Sequence, residues 1–170
     1  MLIRGETVED HGAIAQVNRA AFGGDEESRL VELLRTDALI IASLVAAGET
    51  GQVVGHILFS PVTIVTATSE RRVASLAPMA VAPAVQRRGI GSLLVESGVR
   101  ACAQAGYDAV IVVGHPDYYP RFGFSPELVA GLLNPFGAGK AFMGLELVRG
   151  ALSDLGQGTV VYPRAFDQIS

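Results

Sequence analysis

The residues with the clearest chemical potential lie in VAPAVQRRGIGSLL, residues 81–94, where two arginines and two glycines separate an apolar run from a helix-like run. The first N–H groups of a helix have no intrahelical partners, and the helix dipole is positive there, so such a turn can bind an anion. Gly89 and Gly91 let a ligand approach the backbone. The alternative is a tight turn with solvated arginines. Neither a phosphate loop ending in GK[ST] nor the dinucleotide pattern GxGxxG is present.

A second group of polar side chains follows the apolar run 109–113, in the order Gly114-His115-Pro116-Asp117-Tyr118-Tyr119. Ligands of open sheets favour the carboxyl ends of parallel strands, so this segment is a candidate wall of the same site.

Composition excludes several other classes of function. The 170 residues carry a net charge of −4, which argues against a nucleic-acid partner. Residues 1–4 lack the order of a secretory signal, and no apolar run reaches the roughly 20 residues of a membrane span, so we expect a cytoplasmic protein without a membrane partner. The three histidines have no ligand spacing and Cys102 is the single cysteine, which predicts no metal site and a packing role for the thiol.

The elements that must position these residues follow from periodicity. Residues 2–4 predict a strand, and helices are expected from Thr7 to Phe22 and over residues 25–35. Strands over 39–46, 53–65 (interrupted near Pro61) and 72–81 form an antiparallel meander. A helix over 91–105, a buried strand over 109–113 and late strands over 142–148 and 159–162 complete one domain, residues 1–170.

The order of these elements predicts an α/β fold of the mixed α+β kind, with a mostly antiparallel central sheet, one parallel crossover and flanking helices. Pro78 cannot donate to a ladder, so it marks an edge or a bulge that leaves nearby backbone groups free for a ligand.

The stretch Gln86-Arg87-Arg88-Gly89-Ile90-Gly91 resembles the [QR]xxGx[GA] signature of the GNAT N-acetyltransferase superfamily, in its usual place between a strand and a helix. The resemblance covers most of the chain. Within the superfamily, GHILFSPV and GTVVYPRAF resemble the small YhbS-type branch.

The resemblance implies the acyl-CoA N-acyltransferase fold and acetyl-CoA as cosubstrate, without a metal. Backbone groups of Met79, Ala80 and Val81 would bind the pantetheine arm. The pyrophosphate would lie on the backbone N–H groups of the signature turn, for which the candidates are Gln86, Arg87, Arg88, Gly89, Ile90, Gly91 and Ser92. An N–H of Ala80 or Val81 could stabilise the oxyanion.

The catalytic residues are predicted by the same resemblance. Tyr119, five residues before Phe124, would protonate the leaving thiolate, with Tyr118 as the alternative. Glu26 or Glu27 on the second helix, or His56 on a central strand, would take the proton of the amine, directly or through water. The asparagine usual before the tyrosine is missing, and His115 or Asp117 stands in its region.

The predicted reaction is direct transfer of an acetyl group to a primary amine of a small molecule, a peptide N-terminus or a lysine, by a monomer or homodimer. A CoA-binding regulatory module without turnover is the alternative. The apolar, glycine-rich segment 132–139 is either a loop lining the acceptor pocket or a surface connection.

Overall fold

The computed structural model describes residues 1–137 and 139–169. Within them, three helices flank a mixed sheet. The helices are α1 (His11–Phe22), α2 (Glu26–Thr36) and α3 (Ile90–Gln104). The strands are β1 (Leu2–Gly5), β2 (Ala42–Ala47), β3 (Val53–Thr66), β4 (Glu70–Val81), β5 (Ala109–Val113), β6 (Leu132–Leu133), β7 (Phe142–Glu146) and β8 (Gly158–Val161). In the described part of the chain, no helix is long and apolar enough to cross a membrane.

The sheet runs in the order β1-β2-β3-β4-β5-β7, and its neighbours are antiparallel except for β4 and β5. The predicted fold class, meander and parallel crossover are therefore confirmed. β8 pairs with the far half of β3, from Thr63 to Thr66, and with the short β6.

The two faces of the sheet bury different helices, because side chains alternate along a strand. Ile57 and Phe59 of β3 pack with the α3 residue Leu94 in one core cluster. Leu58, between them, packs on the other face with Ile14 of α1 and with α2.

Two strand predictions were wrong in detail. β2 begins at Ala42 rather than Leu39, because Leu39 N–H donates to Leu34 C=O and closes α2. β3 continues through Pro61 without interruption. Its pairing with β2 ends at Phe59 and its pairing with β8 begins at Thr63, so Pro61 lies where β3 changes neighbours on one side.

Pro78 marks the predicted bulge. The register of β3 with β4 shifts between Ile57, opposite Met79, and Phe59, opposite Leu76, so Ala77 and Pro78 face Leu58 alone. The parallel ladder between β4 and β5 is limited to Ala74 and Ser75 on the β4 side. Beyond Ser75 the two strands diverge, and a gap opens between them.

Candidate active site

Two clefts meet at the gap between β4 and β5. The turn cleft, of about 740 Å³, lies between the end of β4 and the start of α3. The strand cleft, of about 380 Å³, lies between the diverging strands. Phe22, Met79, His115 and Tyr118 line both, so the clefts form one continuous groove.

The turn cleft collects most of the residues predicted for cofactor binding. Its lining includes Met79, Ala80, Val81, Gln86, Arg87, Gly89, Ile90, Gly91 and Ser92. Arg88 is exposed and is not among the described residues that line either cleft. The predicted strand end, turn and helix start thus share one concave surface, with Arg88 outside it.

The backbone of the turn has the geometry of an anion site. Gly89 has φ +84° at the N-cap of α3, and Arg87 has φ +65°. A positive φ is energetically unfavourable for a residue with a side chain, such as Arg87. The surrounding structure must therefore hold the turn in this conformation. The N–H groups at the start of α3 precede the first intrahelical donor, Leu93, so they remain available to a ligand.

Positive charge surrounds this backbone site. Arg87 and Arg121 both line the turn cleft. Arg121 is held in place because its Nε donates to Tyr118 C=O at 3.0 Å and its guanidinium lies 4.6 Å from the centre of the Tyr118 ring. Although the chain is acidic overall, the turn cleft is therefore suited to a phosphate-bearing ligand.

The exposed edge of β4 offers the second feature of the site. Ala82 N–H donates to Val54 C=O, and hydrogen-bonded pairs alternate along an antiparallel ladder. Ala80 therefore pairs with His56, whereas the backbone groups of Met79 and Val81 point away from β3, into the gap. Gln86 Nε2 donates to Val81 C=O at 2.9 Å, which leaves Val81 N–H as a donor toward the gap.

The two tyrosines occupy different places. Tyr118 hydroxyl lies 3.2 Å from Ser92 Oγ at the start of α3, where the clefts meet. Tyr119 lines the strand cleft, is 7% exposed, and packs edge-on against Phe124. Its hydroxyl has no hydrogen-bond partner among the described residues, and burial raises its pKa, so the phenol stays protonated.

The candidate bases also differ in position. Glu27, half-buried on the first turn of α2, lines the strand cleft. His56 is fully buried, and it is absent from the described lining of both clefts. Its ring nitrogens lie 2.9 Å from Ser43 Oγ and 3.3 Å from Asn18 Nδ2, and burial lowers its pKa to about 4. His56 is thus enclosed by the side chains of Ser43 and Asn18 and lies outside the described lining of both clefts.

Cys102 lies on the buried face of α3, as predicted, and burial raises the pKa of its thiol to about 12. In the described part of the chain, no group of three or more histidine, cysteine, aspartate or glutamate residues has the arrangement of a metal site.

Several lining residues of the strand cleft were not singled out from the sequence. Phe22 ends α1, and Tyr162, Phe166 and Ile169 come from the C-terminal segment. The stretch GTVVYPRAF contains two of them, but it entered the sequence argument only as a mark of resemblance. Phe136 shows that segment 132–139 contributes to the pocket, whereas Ala138 lies outside the described residues.

Comparisons with known proteins agree with this geometry. The model of the acetyltransferase (GNAT) family matches residues 13–124. The uncharacterized N-acetyltransferase YhbS of Escherichia coli K12 is 38% identical over 130 residues, covering 76% of this chain and 75% of YhbS.

Two solved structures are similar over nearly the whole chain. A crystal structure of Escherichia coli YhbS in complex with CoA has a TM-score of 0.89 and 31% identity, covering 99% of this chain and 93% of the other. A GNAT family acetyltransferase from Brucella melitensis in complex with acetyl-CoA has a TM-score of 0.79 and 36% identity, covering 98% and 97%.

Proposed function

Because the chain belongs to the GNAT acetyltransferase family, with acetyl-CoA as cosubstrate, we propose that it transfers the acetyl group directly to a primary amine in a ternary complex. The similarity to YhbS confirms the branch indicated by the sequence. One observation carries the proposal: an anion-binding turn and a second cleft meet at a free strand edge, so two substrates can lie side by side.

The residues present fit the cosubstrate. The N–H groups at the start of α3 would hold the pyrophosphate, with Arg87 and Arg121 beside it. The amides of the pantetheine arm would pair with the backbone N–H and C=O of Met79, which point into the gap. Acetyl-CoA supplies an activated acetyl group as a thioester, and the protein has to orient it.

The oxyanion donor in this proposal is Val81 N–H. The ladder directs Ala80 N–H toward His56, so of the two predicted donors only Val81 points into the gap. A backbone donor fixed in a sheet stabilises charge that develops on the acetyl oxygen without having to reorient.

Glu27 is the proposed base. Its carboxylate, directly or through water, removes a proton from the ammonium form of the acceptor, and the amine nitrogen then bonds to the acetyl carbon. As the carbon–sulfur bond breaks, Tyr119 donates its phenolic proton to the sulfur, and the nitrogen, now bonded to the acetyl carbon, gives up its second proton to water. Water reprotonates Tyr119 and takes the first proton from Glu27, so the products are the acetylated amine, free CoA and one released proton.

Tyr119 is preferred to Tyr118 as the acid for a geometric reason. Its hydroxyl is free among the described residues, whereas the Tyr118 hydroxyl is engaged with Ser92. Both line the strand cleft, and Tyr118, which also lines the turn cleft, fits the role of a wall that orients the cosubstrate.

The test is release of free thiol from acetyl-CoA across a panel of primary amines, together with calorimetric titration of CoA. We expect Tyr119→Phe to lower kcat by about 100-fold, the typical contribution of a general acid, with the Kd for CoA changed less than about twofold. Tyr118→Phe, the matched variant, should change kcat less.

Normal turnover of Tyr119→Phe would refute its acid role. Saturable CoA binding without turnover on any amine would indicate the regulatory module instead of an active enzyme, and absence of CoA binding would overturn the proposal. A cytoplasmic location, one domain, a monomer or homodimer and the absence of a nucleic-acid partner stay predictions.

A further inference from the structure

The chemistry of the strand cleft defines a class of acceptor. On the basis of the proposed function, we infer that the acceptor is a small primary amine with a single positive charge and an apolar, preferably aromatic, body.

The charge requirement follows from Glu27. Of the described residues that line the strand cleft, it is the one carboxylate. A half-buried carboxylate attracts one ammonium group more strongly than water-exposed carboxylates do, because the surroundings screen it less. A second ammonium on the same acceptor would find no second carboxylate among the described lining residues, so its lost hydration would not be compensated by an ion pair, which is unfavourable. The cleft therefore favours monoamines over polyamines.

One wall of the cleft is aromatic. The ring centroids of Phe136 and Tyr162 are 4.8 Å apart, those of Tyr162 and Phe166 are 4.8 Å apart, and those of Phe136 and Phe166 are 6.1 Å apart. The polar atom of this wall is already engaged, because Asn134 Nδ2 donates to the Tyr162 hydroxyl at 2.7 Å. The three rings thus present an apolar surface, against which another ring packs favourably.

The opposite side is also apolar. Leu76 of β4 and Val112 of β5 line the cleft, and Ser75, the residue before Leu76, is 2% exposed. A sugar or polyol placed here would lose hydrogen bonds to water and regain few of them.

The size of the cleft limits the acceptor further. About 380 Å³ is near the lower end of the range of roughly 300–1,000 Å³ for small-molecule sites. The space also has to admit the acetyl group, so a compact amine fits and a bulky one does not.

The experiment compares 2-phenylethylamine, ethanolamine and spermidine at saturating acetyl-CoA. Burial of a phenyl ring in place of a hydroxyl predicts that kcat/KM for 2-phenylethylamine exceeds that for ethanolamine by at least about 30-fold. Spermidine should be at least about tenfold worse than 2-phenylethylamine, because of its unpaired charges.

Two variants locate the selectivity. Phe136→Ala should reduce the ratio of kcat/KM between 2-phenylethylamine and ethanolamine by about tenfold, because one ring of the wall is lost. Leu133→Ala is the control in the same segment, since Leu133 is 72% exposed and lies outside the described lining of the strand cleft, and it should leave the ratio unchanged. Phe136→Leu serves as a milder variant if the alanine variant does not fold.

Equal or better turnover of ethanolamine or spermidine would overturn this inference and leave the proposed function intact. If no amine is acetylated although CoA binds, the proposed function fails. Calorimetric titration of the same amines into the CoA-loaded protein then decides the inference: tighter binding of 2-phenylethylamine than of ethanolamine supports it, and equal or undetectable binding overturns it.

Discussion

A negative charge at Gly89 should abolish tight binding of CoA, and the structure allows the effect to be separated from backbone strain. Gly89 lines the turn cleft, and a Cβ built there meets no protein atom within 4 Å. The side chain of Gly89→Glu would therefore project into the space proposed for the pyrophosphate.

Two terms contribute to the expected effect. A side chain at φ +84° costs about 1–2 kcal/mol of stability. For a chain of this size, this cost lowers Tm by roughly 2–8 °C. The carboxylate adds repulsion of about 3 kcal/mol for each phosphate charge at about 5 Å, at an effective dielectric constant of about 20. After screening by salt we expect a loss of at least about 2 kcal/mol, or about 30-fold in Kd.

Matched variants isolate these terms. Gly89→Gln has the bulk of Gly89→Glu without its charge. Gly106→Gln has the same strain at the other end of α3, where φ is +90° and the Cβ also meets no atom within 4 Å. Titration calorimetry gives Kd, and thermal unfolding gives Tm. We expect all three variants to lose similar stability and Gly106→Gln to bind CoA normally. The difference in Kd for CoA between Gly89→Glu and Gly89→Gln should become smaller at high salt, because salt screens the repulsion.

Gly89→Glu binding CoA as tightly as the wild type would refute the placement of the pyrophosphate. Loss of CoA binding by Gly106→Gln would show that strain in α3, rather than charge at the turn, controls the site.

Three further predictions concern the core. Gly98→Ala places a Cβ in steric conflict with the Phe59 ring and should destabilise the fold by about 1–3 kcal/mol in denaturant unfolding, whereas Gly12→Ala, with open space around it, should be neutral or stabilising. The pKa of His56 is lower in the folded protein, about 4, than its ordinary value of 6.5, so the stability present above pH 6.5 is lost as the pH falls from 6.5 toward 4. At about 1.36 kcal/mol per pH unit, the free energy of unfolding falls by about 3 kcal/mol over this range. His56→Gln should make the free energy of unfolding less dependent on pH. An equally steep pH dependence in that variant would show that other groups cause it. Cys102 should react with Ellman's reagent only after unfolding, since burial raises the pKa of its thiol to about 12, and rapid reaction of the native protein would contradict this burial.

The sequence by itself determined the local features of this protein. The signature turn, the start of α3, the bulge at Pro78 and the buried strand β5 are encoded in short stretches, through glycine conformations, the missing N–H of proline and apolar runs. These stretches were sufficient to identify the cosubstrate. The start of β2 was mispredicted because Leu39 is apolar and yet closes a helix.

Only the tertiary structure decided which residues share the second cleft. The lining of this cleft combines residues from opposite ends of the chain: Phe22 and Glu27 with Tyr162 and Phe166. No short sequence pattern encodes their proximity. The fold also places the two proposed bases differently: Glu27 lines the strand cleft, whereas the ring of His56 is buried between α1 and β2. The turn proposed to bind the pyrophosphate is local because a helix terminus creates it, whereas the strand cleft depends on the separation of two strands and on the segments packed over the gap.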